Sequence, residues 1–515
     1  MTNPDGNNKK TFTRRDFLKA TGGAMAVAGV ATGGLAFASG KAGAAELPKK
    51  WDETVDVLIV GSGFAGLSAA CEASKAGAKV VVLEKMPTYG GNSIINGGVY
   101  AAWDSKLKLR NKFNLGEDSV DLHTEDTLKG GDRYNFPELV EILAKGSPEA
   151  LNWMIEEAGV ELRGALTRAG GHSAYRTHTV TAGIGRGFTE PLRKLAESRG
   201  VEIRLGSEVT RIWRKDPESP VSGVTVKRGR RESDIAIGRA LVLASGGFSR
   251  DVKMRQMFNP SIVPEFNTTN QPGATGEMIR FAQAIGADTL QLNFIQLYPF
   301  AEPETGILDT PAVYPFNGVG YGMIYVSKEG KRFVNELERR DVCSFAQIKL
   351  GLKPTYSVFN EAMILKMGGS AKEVEDGIAK GRFVRADSIS ELAAKTGLPA
   401  GPLQETVDKY NQYLKDKNDP DFKKPITDSM IPLQEGPFYA VAQWPAVHHC
   451  MGGLRINKDT QVIDIWGKPI PRLYAAGEVT GGIHGSNRLG SNAIPDCVVF
   501  GRIAGTNAAK EKPAA

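Results

Sequence analysis

Cysteine is scarce and badly placed for cluster chemistry. Only Cys71, Cys343, Cys450 and Cys497 occur in 515 residues, far apart and without a Cys-x-x-Cys pair, so neither an iron–sulfur ligand set nor a structural zinc site can be read. A Cys-x-x-Cys-His run is missing too, which excludes covalent haem; if the protein is a reductase, its electrons must arrive from a separate carrier. An excess of one charge is also lacking. The formal charge is +6, but residues 1 to 45 hold six Lys and Arg against Asp5 and Asp16, which leaves about +2 for the remainder and implies no nucleic-acid partner. No apolar run makes a good spanning helix, since the best one, Ala20 to Ala38, is diluted by Gly22, Gly23, Gly29, Gly33 and Gly34. That run follows Arg14-Arg15 in TRRDFLK (13 to 19) and precedes AGAAE (42 to 46). Residues 1–45 are therefore expected to be a twin-arginine export signal, cut near Ala44 or Ala45, and the mature chain is expected in the periplasm without stable membrane insertion.

What is present begins with 41% hydrophobic residues, enough for a large core and, by length, two to four domains. After Trp51 an apolar strand (Val55 to Val60), a glycine turn, a helix (about Ala65 to Ala76) and the strand AKVVVLEK (78 to 85) read as a β-α-β unit. In Gly61-Ser-Gly63-Phe-Ala-Gly66 the first glycine permits the tight turn, the second lets a pyrophosphate reach backbone, and the third lets helix pack on strand. Phosphates would then sit at a helix N-terminus. Glu84, eighteen residues after Gly66, is placed to accept hydrogen bonds from a ribose, so the pattern points to a dinucleotide.

Apolar runs recur at RALVLASGGF (239 to 248) and RLYAAGEV (472 to 479), each ending in glycines. One sheet is thus expected from distant pieces. Between them, from about Asn293, the chain turns to Tyr-, Phe- and Pro-rich loops, a hairpin-like VSKEGKRFVNE (326 to 336), and helices near 358 to 368, 388 to 395 and 402 to 416. The expected architecture is α/β: a Rossmann-like dinucleotide-binding domain from residues 51–292 and 449–515, with an inserted α+β capping domain from 293–448.

Six blocks in order carry a family resemblance: GSGFAG, EKMPTYGGNS, TNQPGATGE, GKRFVNE, VHHCMGG and AGEVTGGIHGSNRLG. From about Trp51 to Ala509 the chain resembles the flavoprotein part of soluble fumarate reductases, the flavocytochrome c group that includes urocanate and methacrylate reductases. The resemblance implies FAD rather than NAD, with contacts from Ala65, Glu84, Asn92, Ser93, Gly98, Val209, Glu277, His449, Glu478, Ala493 and Ile494. It implies that His448 and Arg488 bind a substrate carboxylate, with Ser491 beside them, and that Arg340, rather than its neighbour Arg339, is the proton donor. A planar guanidinium suits a carboxylate, and His448 can add a donor. Such a clamp fixes an alkene over the flavin and makes its β-carbon electron-poor. His448 and His449 face opposite ways in extended chain, so no metal site is expected.

The chain also departs from the fumarate pattern. Tyr298, in NFIQLYP, stands where those enzymes place a histidine for the far carboxylate; urocanate reductases are similar to this chain there. The stretch PAVYPFNGVGYG (311 to 322) lacks the Arg and Glu of their proton relay, leaving Asp309, Glu304, Tyr314, Tyr321 or water. With Phe300, Tyr314, Phe316 and Tyr321 nearby, a small unsaturated monocarboxylate with a neutral or aromatic tail is expected as substrate. Ile94-Ile95-Asn96-Gly97 lacks the histidine that attaches FAD in membrane fumarate reductases, so the flavin is expected to be noncovalent. The rival readings are fumarate reductase proper, an oxidative flavin dehydrogenase and a noncatalytic flavin carrier; the carboxylate clamp argues against the last two.

Overall fold

In the computed structural model, which describes residues 46–513, the chain begins with β1 (Glu53–Val60), α1 (Phe64–Lys75) and β2 (Val80–Leu83). The two strands are parallel, Val57 opposite Val80; β2 is buried throughout and β1 from Val57 onward. Runs of Val, Ile and Leu with no polar alternation are what a parallel sheet covered on both faces demands. On the far side of β1 lies β3 (Arg231–Leu243), again parallel, and beyond it the strand Pro469–Ala475, parallel to β3. Glu202–Arg204 closes the other edge beside β2. The two apolar runs expected to join one sheet do so, although they are separated by more than two hundred residues of sequence. The export signal expected over residues 1–45 lies outside the described residues.

A second sheet is built on β4 (Ile295–Ala301), which leads into the helix α2 (Thr310–Gly318). Then come α3 (Arg340–Leu350) and the long β5 (Phe438–Cys450), which pairs antiparallel with β4 and with Thr355–Asn360. This sheet has its own core, with Tyr298, Phe300, Tyr325, Phe359 and Tyr439 buried together. The boundary expected between residues 448 and 449 falls inside β5. Its N-terminal part pairs with Thr355–Asn360, and its last residues carry His448 and His449 back toward the first sheet's core, where Val447 and Cys450 are buried.

Two local expectations differ. The helix placed at 358 to 368 starts later: Thr355–Asn360 is a strand, and Asn360 caps the short helix Glu361–Lys366 by accepting from Met363 N. Aromatic and β-branched side chains packing on β5 outweigh any helical reading there. The hairpin at 326 to 336 holds a single bridge, Val326 to Arg332; Arg332 then turns inward to Glu336. Among the described residues no helix is long and apolar enough to cross a membrane. The final helix, α4 (Ala493–Lys510), packs on α1.

Candidate active site

The glycine turn after β1 does what its sequence suggests. A Cβ on Gly61 would lie 2.3 Å from the Ala244 carbonyl oxygen, and one on Gly66 would lie 1.9 Å from that of Gly61, so the turn and the helix behind it close only without side chains. The first turn of α1 carries no acid and no cap from Gly63; instead Phe64 N donates to Ser93 Oγ at 2.9 Å. Glu84 anchors the loop, accepting from Ser62 N and Oγ at 3.1 and 2.6 Å and from Met86 N at 2.9 Å. These groups line a cavity of about 870 Å³. Gly61, Gly63, Ala65, Glu84, Asn92, Ser93, Val209, Glu277 and Glu478 are all in its wall. Gly66 and Gly98 lie outside that wall as packing positions: a Cβ on Gly98 would meet Val180 Cγ1 at 2.7 Å.

A second cavity, about 820 Å³, shares Phe64, Asn92, Ser93, Glu478 and Cys497 with the first. Its wall gathers Tyr298 from β4, Phe316 from α2, Arg340 from the start of α3, His448 and His449 from the end of β5, and Arg488, Ser491, Ala493 and Ile494 from the C-terminal loop and α4. Residues nearly two hundred apart in sequence thus meet on one surface. Leu308, Val313, Val99 and Ile95 supply an apolar side.

Charge is distributed unusually here. Arg340 and Arg488 are buried, and among the described residues neither has a carboxylate in salt-bridge reach. Their common partner is a neutral amide: Gln296 Oε1 accepts from Arg340 Nη1 at 3.3 Å and from Arg488 Nη2 at 3.2 Å. Gln296 Nε2 donates to Asn487 Oδ1 and Arg488 O, both at 2.7 Å, which fixes the amide's orientation. Both Nε–H groups lack acceptors. Arg340 also sits 4.8 Å from the ring centres of Tyr298 and Phe316, a cation–π arrangement. Burial lowers its pKa to about 10. Arg488 is pushed well below the usual guanidinium range by burial and then by Arg340.

The neighbours sharpen the picture. Arg339 is taken up by Asp132 and Asp341 and lines neither cavity. His448 is held far below its usual pKa, first by burial and then by the two arginines, and is therefore neutral. Its ring lies 4.8 Å from that of Tyr298. Tyr298 is a wall rather than a polar contact, because its hydroxyl donates to Ala312 O at 2.8 Å. Ser491, in left-handed backbone at φ 64°, lies with its hydroxyl 2.8 Å from Thr177 Oγ1. Of the four aromatics expected near the tail, only Phe316 lines the cavity; Phe300 packs edge-on against Tyr298 and tilted against Tyr325, Tyr314 donates to Glu373, and Tyr321 donates to Leu166 O. The four expected relay groups also point elsewhere: Asp309 caps α2 and pairs with Arg382, and Glu304 pairs with Lys353.

Sequence reading missed Thr269 and Asn270 in the wall of the second cavity, Gln296 behind its two arginines, and Ser62, Ser245 and Gln271 in the first cavity. Their signal was proximity to recognised blocks, since Thr269 opens TNQPGATGE and Gln296 precedes Tyr298 by two.

A family model described as "FAD binding domain" matches residues 56–494. The chain belongs to that family. FAD is its cofactor, and the enzyme is a flavin-dependent oxidoreductase. The cavity fits such a group: its floor is glycine backbone, a helix start whose N-cap residue offers no side chain faces it, and Ser245 Oγ in its wall is buried without a partner among the described residues. Among relatives, the chain is 38% identical over 461 residues to "Fumarate reductase (cytochrome)" of Shewanella frigidimarina, covering 89% of this chain and 77% of that protein. It is 37% identical over 513 residues to "Acrylate reductase flavoprotein subunit" of Shewanella woodyi, covering 96% and 98%. The solved open conformation of a flavocytochrome c3 fumarate reductase superposes with a TM-score of 0.68 at 36% identity, over 89% of this chain and 79% of that one.

Proposed function

We propose that this enzyme is an exported, periplasmic reductase of the carbon–carbon double bond in a small α,β-unsaturated monocarboxylate, using noncovalent FAD. The observation that carries the reading is a pair of buried arginines without, among the described residues, any carboxylate partner, in a cavity that shares a wall with the flavin cavity. Two uncompensated cations in low dielectric are costly, and an acid group entering between them removes that cost. Arg488 and neutral His448 grip the carboxylate. Gly61, Gly63 and Ala65 hold the pyrophosphate end of FAD, Glu84 its ribose, and Asn92, Ser93, His449, Glu478, Ala493 and Ile494 the ring end. When bound and reduced, FAD is the source of hydride for the substrate's β-carbon. Arg340 delivers the proton to the α-carbon; its depressed pKa makes a buried guanidinium a better acid than one in water.

The far wall decides the substrate class. Tyr298 has no hydrogen to offer a second carboxylate, and Leu308, Val313 and Phe316 are apolar. Acrylates, urocanate or a cinnamate therefore suit the cavity better than fumarate does. The relatives named for acrylate and fumarate reduction support the reaction type. Electrons come from a separate carrier, a c-type cytochrome or another low-potential donor. The test is anaerobic oxidation of reduced methyl viologen with fumarate, urocanate, acrylate, methacrylate, itaconate and cinnamates in turn. Fumarate is expected to rank below at least one monocarboxylate; a clear preference for fumarate would sink the assignment.

A further inference from the structure

His448 can help hold a carboxylate only if the nitrogen facing the cavity carries a hydrogen. A neutral imidazole has one N–H and one bare nitrogen, and the choice between them is set by whatever the other nitrogen meets. Here Nδ1 lies 2.6 Å from Thr269 Oγ1. The hydroxyl is itself held: Thr269 N donates to Val447 O at 2.9 Å, and Asn270 Nδ2 donates to His448 O at 2.8 Å while lying 3.4 Å from Thr269 Oγ1. Two short hydrogen bonds, one from backbone and one from the Asn270 side chain, thus tie residues 269–270 to the carbonyls of 447 and 448, fixing the hydroxyl against the ring. The oxygen already receives the Asn270 amide, so its own hydrogen is free for Nδ1.

Among the described residues no group hydrogen-bonds Nε2 of His448, and the ring lines the second cavity. The charged and titratable groups around it are Arg340 from α3, Arg488 from the C-terminal loop, Tyr298 from β4, and His449 with Glu478 on the flavin side. The two nearest charges are cations, so a second proton on the ring is disfavoured and the imidazole works as a neutral donor.

We propose that Thr269 is a positioning residue: its hydroxyl donates to Nδ1 of His448, forcing the ring proton onto Nε2, where it faces the substrate carboxylate. This rests on the carboxylate-clamp reading above. Without the hydroxyl, the ring has no fixed tautomer and presents a bare nitrogen to a carboxylate part of the time, which repels it. The clamp then loses a hydrogen bond to a charged group.

A crossed pair of variants in the FAD-loaded enzyme separates this role from packing. Thr269→Val keeps the shape and removes the hydroxyl; Thr269→Ser keeps the hydroxyl and removes a methyl. With equal flavin content checked by absorbance, Thr269→Val should raise KM for every accepted acid by roughly tenfold or more with a smaller change in kcat, the mark of lost uniform binding. Thr269→Ser should stay within about twofold of the parent. Thr269→Val behaving as wild type, or Thr269→Ser failing as badly as Thr269→Val, overturns the proposal. Arg488→Ala run alongside tells the two readings apart: if it abolishes turnover while Thr269→Val is silent, only the Thr269 role fails, whereas if Arg488→Ala keeps near wild-type turnover the clamp itself is wrong.

Discussion

Two buried cation pairs in this molecule have opposite surroundings. In the second sheet's core Arg332 and Lys424 meet Glu336 and Asp419: Arg332 reaches Glu336 at 2.7 and 2.8 Å and Asp419 at 2.9 Å, and Lys424 lies 3.2 Å from Glu336. All four side chains are buried, and the charges cancel. In the second cavity Arg340 and Arg488 share, among the described residues, only the amide of Gln296. A cation pair whose charges are balanced from within is structural, because nothing further is gained by adding an anion. One left unbalanced is poised to take an anion from outside, and the stability given up is recovered on binding.

The contrast is broken most directly at Arg488. Arg488→Ala should lower kcat/KM for every substrate by on the order of a thousandfold or more, because a buried charge-assisted pair is lost. The same change relieves repulsion with Arg340, so thermal stability should hold or rise. Steady-state kinetics and a melting curve on one preparation check both halves. Lys424→Met should do the reverse. Glu336 and Asp419 would then outnumber their partners, costing about 3 kcal/mol, while kcat/KM below the melting range stays near wild type. Activity loss in the second variant, or instability in the first, would mean that the two clusters are not of different kinds.

Gln296→Glu sharpens the same comparison by turning one cluster into the other. A carboxylate between the two guanidiniums would neutralise them from within. Melting temperature should rise, and kcat/KM should fall about 10- to 100-fold as substrate competes with the new side chain. Unchanged kinetics would remove Gln296 from the site.

The sheet and the nucleotide turn were legible because their determinants are local. Val55–Val60, the three glycines and Glu84 fall within one β-α-β unit, where backbone geometry restricts the residue types. Arg340, His448 and Arg488 were legible only through a resemblance, since no local pattern tells a buried arginine in a cavity from one in an ion pair; Arg339 and Arg340 are neighbours with opposite fates. Gln296 was invisible for a further reason. A glutamine two residues from Tyr298 in an apolar strand reads as an ordinary polar interruption, and its role exists only once Asn487 and the Arg488 carbonyl take its amide hydrogens. The end of the strand Thr355–Asn360, residues 358–360, reads as helix in the sequence because its partner β5 lies some eighty residues away. The aromatics of 300 to 321 looked like a pocket and are mostly core, because composition cannot say which face of α2 meets the cavity.

The smallest expected effect concerns Glu478, the largely buried acid in the wall common to both cavities. Burial raises its pKa from 4.5 to about 7, opposed by the hydrogen bond from Cys450 N at 3.0 Å and by Arg488. The native protein therefore holds a proton that the unfolded chain releases, so the stabilisation is complete below about 4.5 and is lost as pH rises through about 7. For the flavin-stripped protein this amounts to about 3 kcal/mol at most, a fall of a few degrees in melting temperature between pH 5 and pH 8. Glu478→Gln keeps an acceptor for Cys450 N and has no proton to lose, so its melting temperature should lack that component. If parent and variant fall in parallel across the interval, Glu478 is ionised throughout, and the shared wall carries a charge that balances Arg488 at longer range.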